Sequence, residues 1–322
     1  VAKLPVQKGT TDLVTMMSYG FDPYLSSWSP YHGAVYAVVS SVAKVVAAGG
    51  DYRKIRFTFQ EYFKRMTEDS RRWGTPFSAL LGAYEAQMGF GLPSIGGKDS
   101  MSGTFNELDV PPTLVSFAVD VASSRHIITP ELKKAGNKLV LFVIKKDEND
   151  LPDYQSAMDI YGKIHEDIKA RKIISAYELE RNGLCEALSK MAMGNRLGVK
   201  LTDAVKPEQL FGAGWGCIVA EVYQDYAYQL EAPGMIIGEV IREEAFIYQD
   251  MKLSMDEVTR AWTAPMEQVF PTHTGVKAET AEKPLYREES VHICTHKIGA
   301  PTVFIPVFPG TNCEYDSEQA FK

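Results

Sequence analysis

Residues Gly96-Gly97-Lys98-Asp99-Ser100-Met101-Ser102-Gly103 combine the parts of a phosphate cradle. Glycines let backbone N–H groups approach phosphate oxygens closely. Lys98 can neutralise phosphate charge, Asp99 can hold a Mg²⁺ that bridges phosphates, and the hydroxyls of Ser100 and Ser102 add polar contacts. The spacing is not that of a P-loop, which requires G-x-x-x-x-G-K-[S/T]. On composition alone, a polar turn between two strands is the commoner source of such a stretch.

Three other clusters carry reactive side chains. Tyr177-Glu178-Leu179-Glu180-Arg181-Asn182-Gly183-Leu184 puts two carboxylates before a helical pattern, where they could act as acid, base or metal ligand. The commoner arrangement, and the one expected here, is solvated carboxylates with Asn182 capping the helix. His292-Ile293-Cys294-Thr295-His296 would place three zinc-type ligands on one face of an extended strand, but no fourth ligand lies nearby in sequence, so a short edge strand is expected. Cys313 follows a Pro-Gly turn and precedes a helix start, a position that favours thiolate, yet no histidine follows it to complete a pair. The isolated His32 and His126 read as structural.

These residues need elements to position them. The run 31–48 is apolar almost all round and rich in small residues, which predicts a buried helix stopped by Gly49-Gly50-Asp51. Alternation predicts strands at 53–59, 112–122, 138–145, 216–223 and 235–241. Helices are expected at about 60–72, 76–89 (entered through Thr75-Pro76), 154–170, 183–193 and 254–263. Residues 96–103 are expected to be a Gly-rich loop. The mixture predicts α/β, α+β-layered architecture with a seam near 130–138. Residues 267–300 read as a linker, and an apolar strand at 302–308 with a Pro-Gly turn and a helix start closes the chain.

At 322 residues the chain exceeds one ordinary core, so two domains plus extras are expected. It carries 34 basic and 41 acidic residues without a basic stripe, which argues against nucleic acid as a partner. No apolar stretch is long enough to span a membrane. Four cysteines, Cys185, Cys217, Cys294 and Cys313, show no paired spacing, which fits a reduced, cytoplasmic setting. Val1-Ala2-Lys3-Leu4-Pro5 reads as mid-protein sequence, so a fragment of a larger chain is expected.

The order of several segments resembles the large single-chain phosphoribosylformylglycinamidine synthases. They are Met17-Ser18-Tyr19-Gly20, the helix at 31–48 ending in Gly50-Asp51 before RKIRFTF, GGKDSMS, Arg125-His126 with Thr129-Pro130, and the terminal FPGTNCEYD. The resemblance covers nearly the whole chain. It implies an aminoimidazole-ribonucleotide-synthetase-like N-terminal domain at 1–136 and a C-terminal domain at 137–266. A linker at 267–300 and the first strand of a class-I glutaminase domain at 301–322 would follow. It further implies an ATP-dependent, glutamine-using ligase, in which ATP phosphorylates an amide oxygen and ammonia displaces the phosphate to give the amidine. This chain would be the second synthetase half. Its partners would be a nucleotide (ATP or ADP), the first half and the glutaminase of the same chain.

Carried over residue by residue, the resemblance implies Asp99 as a Mg²⁺ ligand, with Gly97, Lys98, Ser100 and Ser102 near nucleotide phosphates. No catalytic residue is expected within the chain itself. Three segments depart from the family pattern. Ser40 and Lys44 stand where a Glu and an Asn metal ligand are expected, so Lys44 could supply positive charge in place of a metal. Residues 177–184 keep only the final Gly-Leu of the family's H-D-x-S-D-G-G-L. Phe211-Gly212-Ala213-Gly214-Trp215-Gly216 lacks the glutamate of F-x-E-x-x-G. The half is therefore expected to be an auxiliary nucleotide site or a silent scaffold, inactive alone. A free-standing synthetase or kinase of the same fold is the remaining alternative. A sheet face left uncovered by the first half should be apolar and drive self-association.

Overall fold

The computed structural model of the chain describes residues 1–6, 8–273, 275, 293 and 295–322. Val1–Phe270 forms one compact unit and Pro271–Lys322 another.

The first unit begins with strands β1 (Ala2–Lys3) and β2 (Leu13–Gly20), then helices α1 (Pro23–Trp28) and α2 (Pro30–Ala47). Strand β3 (Arg56–Tyr62), helix α3 (Ser70–Phe90), strands β4 (Ser94–Ser100), β5 (Thr104–Phe105) and β6 (Leu108–Asp109), and the long β7 (Thr113–Ser123) follow. The larger strands make a sheet in the order β1-β2-β7-β3-β4, antiparallel except for the parallel β3/β4 pair. Strand side chains alternate, so one sheet face carries Val14, Met16, Phe57, Phe59, Leu114 and Ala118, all buried.

That face packs on α2. The expected all-round apolar helix is present: every residue from Gly33 to Ala43 is buried. Pro30 stands at its first turn and Ser29 caps it, accepting from the His32 backbone N–H. The His32 ring bridges Ser29 Oγ at 2.8 Å and the Asn149 carbonyl at 3.0 Å, which is the structural role expected for it. The helix stops where Gly49 takes φ +101°, a left-handed conformation that side chains resist.

The chain then builds β8 (Lys138–Phe142), α4 (Tyr154–Lys169), β9 (Ile173–Glu178), α5 (Gly183–Asn195), β10 (Gly198–Leu201) and α6 (Pro207–Phe211). It continues through β11 (Ile218–Val222), β12 (Met235–Ile241), β13 (Ala245–Tyr248), β14 (Met251–Ser254) and α7 (Met255–Glu267). The second sheet runs β14-β13-β10-β12-β8-β11-β9, with β10/β13 its parallel pair. The crossing segment between the sheets is pinned by buried Glu221, which accepts from the Lys133 and Lys134 backbone N–H groups and from Asn137 Nδ2 at 2.6–2.9 Å. One continuous core joins the layers: α2 contacts α4 and β9 as well as the first sheet, and Tyr161 donates to the Gly216 carbonyl at 2.7 Å.

Several expectations are corrected. Residues 60–72 are not a helix: β3 runs to Tyr62, and a single long α3 starts at Ser70. Asp69 is the true cap, accepting from the Arg71 N–H at 3.0 Å, and Pro76 lies inside the helix, where it removes only the bond to the Arg72 carbonyl. The 96–103 loop is largely strand β4. In the second unit, residues 302–308 form no strand; Phe304 and Phe308 are exposed, and no described segment pairs with them. Helix α8 (Glu314–Ala320) follows Cys313, which takes φ 63° at the cap position. His292 and Cys294 of the possible zinc cluster lie outside the described residues. Among the described residues, no helix is long and apolar enough to cross a membrane.

Candidate functional site

The Gly-rich segment sits at a sheet edge. In the β3/β4 register Gly97 lies opposite Phe59, Lys98 opposite Gln60, Asp99 opposite Glu61 and Ser100 opposite Tyr62. Alternation sends Lys98 and Ser100 to one face, where Lys98 Nζ donates to Ser100 Oγ at 2.7 Å. Asp99 shares the other face with Glu61. Ser102 lies past the strand end and is exposed. The segment thus does not converge on one point, as a free loop would. It offers a lysine–serine pair on one side, a carboxylate pair on the other, and the unpaired backbone groups of an edge strand between them.

Glu61 is buried, and its carboxyl is pushed up to about 7, first by burial and then by the charge of Asp99. A divalent cation would relieve both penalties. Mg²⁺ is commonly held by one or two carboxylates plus water and phosphate oxygens, so this pair fits it. No group of three or more metal-type side chains occurs among the described residues.

Lys44 belongs to a different place. It lies on the last turn of α2 beside β2, and β7 and β3 separate β2 from β4, a distance of roughly 14 Å at the usual strand spacing. The expected grouping of Lys44 with the 97–102 segment is therefore not formed.

What the structure brings together instead is the three departed segments. Lys44 Nζ donates to Glu180 Oε1 at 2.6 Å and to the Tyr19 carbonyl at 3.1 Å, and it lies 4.6 Å from the Tyr19 ring centroid. Glu180 also meets Lys190 at 3.5 Å, and Lys190 pairs with Glu186 at 2.7 Å. Ser40 Oγ and the Gly216 N–H both donate to Glu178 Oε1, at 3.0 and 2.9 Å. Trp215 packs against Tyr36 with ring centroids 5.5 Å apart.

Glu178 overturns the expectation of solvated carboxylates. It is 1% exposed at the end of β9, beneath α2, and its Oε2 has no partner. Burial, only partly opposed by Lys44, pushes this carboxyl up to about 8. Burial would also pull the Lys44 ammonium down, but Glu178 and Glu180 outweigh it and hold it above its ordinary value. Glu180 goes the other way: burial raises it, and the Lys44 and Lys190 ammonium groups bring it below the usual carboxylate range. Asn182 occupies the cap position of α5 without a side-chain cap; its own N–H donates to Glu186 Oε2 at 3.3 Å.

Two cavities flank this network. One of about 320 Å³ is lined by Tyr19, Lys44, Tyr177, Glu178, Glu180 and Lys190. Another of about 230 Å³ lies toward Asp22, Tyr24, Ser40, Arg181 and Trp215 and shares Glu180.

No protein-family profile matches the chain. A curated relative, the phosphoribosylformylglycinamidine synthase subunit PurL of Pelagibacter ubique (strain HTCC1062), is 24% identical over 230 residues, 61% of this chain and 31% of that protein. Among solved structures, Thermotoga maritima PurL complexed with AMPPCP superposes with a TM-score of 0.64 at 16% identity, over 95% of this chain and 50% of its own. The same protein complexed with FGAR gives 0.64 at 15% identity, over 76% and 46%. The protein tt0281 from Thermus thermophilus gives 0.54 at 17% identity, over 75% and 86%. The chain thus spans about half of the solved PurL chains and under a third of the curated relative. With its two mixed sheets and the buried helix between them, it has the α/β fold of the PurL synthetase core.

Proposed function

We propose that the chain is the second synthetase half of an ATP-dependent, glutamine-using ligase that converts formylglycinamide ribonucleotide to its amidine. In this reading it serves as the auxiliary, nucleotide-binding half and does not turn over alone. Residues 1–136 and 137–266 are its N- and C-terminal synthetase domains, and 301–322 begin a glutaminase domain. The observation that carries the reading is the edge of β4, where Asp99 shares a face with buried Glu61 while Lys98 and Ser100 flank it. Support comes from the shared fold, since the solved PurL chains are complexed with AMPPCP, ATP, ADP and FGAR. A bound Mg²⁺ would sit on Asp99 and Glu61 and neutralise phosphate charge. Lys98, Ser100 and the Gly97 backbone would orient the phosphates from the other side of the edge. Asp99→Ala is expected to abolish Mg²⁺-dependent ADP binding in titration calorimetry; unchanged affinity would remove Asp99 from the site.

The Lys44–Glu180–Lys190–Glu186 network favours a scaffold role for the other side of the half. It satisfies its own charges and leaves no unpaired lysine for a phosphate.

The open face of the first sheet is the proposed surface for the first half. Leu13, Met17 and Val121 are exposed there, and Met17 lies opposite Val119 in the β2/β7 register. A stable apolar face of this kind is a recognition surface. In its absence a second copy is expected to cover the face, so the chain sediments as a dimer and a Met17→Glu, Val121→Glu variant as a monomer. A monomeric parent chain in analytical ultracentrifugation would contradict this.

A further inference from the structure

The α2–β9 cavity has the donor set of a cation site. The Glu180 carboxylate and the Tyr19 carbonyl converge on one point, and the Tyr19 ring lies over it. Glu178 lines the same cavity, fully buried, with Oε2 facing no partner. Oxygen donors of this kind, a carboxylate and a carbonyl, are what a hard cation binds. The point where they converge holds the Lys44 ammonium. A divalent ion does not fit beside it, because the ammonium already takes the shared oxygens and repels a second positive charge.

We propose that this is a cation site whose cation is built into the chain. The Lys44 ammonium stands where a free ion would bind, and it ties the last turn of α2 to the segment that follows β9 without any metal. The remaining donors are unchanged by removing the lysine head, so the site should then accept an outside cation, either a divalent ion or a small primary ammonium. This inference stands on the α2–β9 geometry and is independent of whether the β4 edge binds nucleotide.

The test is the Lys44→Ala variant in the full chain, compared with the unsubstituted protein in EDTA, in MnCl₂ and in ethylammonium chloride. The variant should melt several degrees lower in EDTA and recover about half or more of the loss with either cation, as expected for ligands that bind only the folded state. Mn²⁺ counted by electron paramagnetic resonance should rise by about one equivalent over the unsubstituted protein, whatever that protein binds elsewhere. Adding Glu180→Gln to Lys44→Ala should abolish both the recovery and the extra Mn²⁺. A Lys44→Ala protein that gains no Mn²⁺ and shows no recovery overturns the proposal. If that variant is insoluble, Lys44→Gln keeps the length and a donor while removing the charge. Soluble Lys44→Gln stabilised by Mn²⁺ supports the proposal; Lys44→Gln without a cation response, or insoluble with and without cation, overturns it.

Discussion

A Gly20→Ala substitution is expected to destabilise the first unit by about 3 kcal/mol or more, the upper range for a side chain forced into a packed site. Gly20 ends β2 directly against α2. An added methyl would overlap the Ala37 carbonyl oxygen and sit 2.9 Å from the Ser41 backbone nitrogen. Both obstacles are backbone atoms of a helix that is itself buried, so neither can turn aside as a flexible side chain would. The contact also sets the hydrogen bond from Ser18 Oγ to the Ser41 carbonyl (2.6 Å) and the bond between Ser41 and Ser116 hydroxyls (2.9 Å). Thermal melts should show a fall of roughly 6–12 °C for a unit of this size. A variant melting like its parent would mean that β2 and α2 are not in close contact.

The second large effect is pH-dependent and belongs to Glu178. Its carboxyl titrates near 8 in the folded chain and near 4.5 when free, so the folded state holds the proton more tightly. Stability from this group is therefore complete below about pH 4.5 and is lost as pH rises toward 8. Gln keeps the shape and an oxygen for Ser40 and the Gly216 N–H, but it never ionises. Relative to the unsubstituted protein, Glu178→Gln should thus be near neutral at pH 5 and more stable at pH 9, by a few kcal/mol. Urea denaturation of both proteins at the two pH values measures the difference. An equal gap at pH 5 and pH 9 would show that Glu178 is not held protonated by burial.

The large elements are legible in the sequence because their patterns are strong. The helix at Pro30–Ala47 is apolar all round and the strand at Thr113–Ser123 alternates, and both lie within a residue or two of expectation. The start of α3 is not, because Pro76 is a good helix opener, whereas the better cap is Asp69, six residues before the expected cap Thr75. The Gly-rich stretch reads as a loop because its glycines hide a strand whose register only β3 supplies. The partnership of Asp99 with Glu61 spans 38 residues and exists only through that register, so no local spacing announces it. Glu178 is the largest omission. As part of a lead-in to α5 it reads as solvated, yet the strand Ile173–Glu178 carries it under α2. The segments that depart from the resemblance, around Lys44, Glu178 and Gly216, are each visible in the sequence. That they meet in one network is not, because their convergence depends on how the two sheets pack around α2.

The most direct test of the central claim, that the β4 edge holds a nucleotide through a metal on Asp99 and Glu61, is calorimetric titration of the chain with ADP, in Mg²⁺ and again in EDTA. Micromolar binding is expected in Mg²⁺, disappearing in EDTA and in the Asp99→Ala variant. Heat that is the same with and without Mg²⁺, or no heat in either, would contradict it.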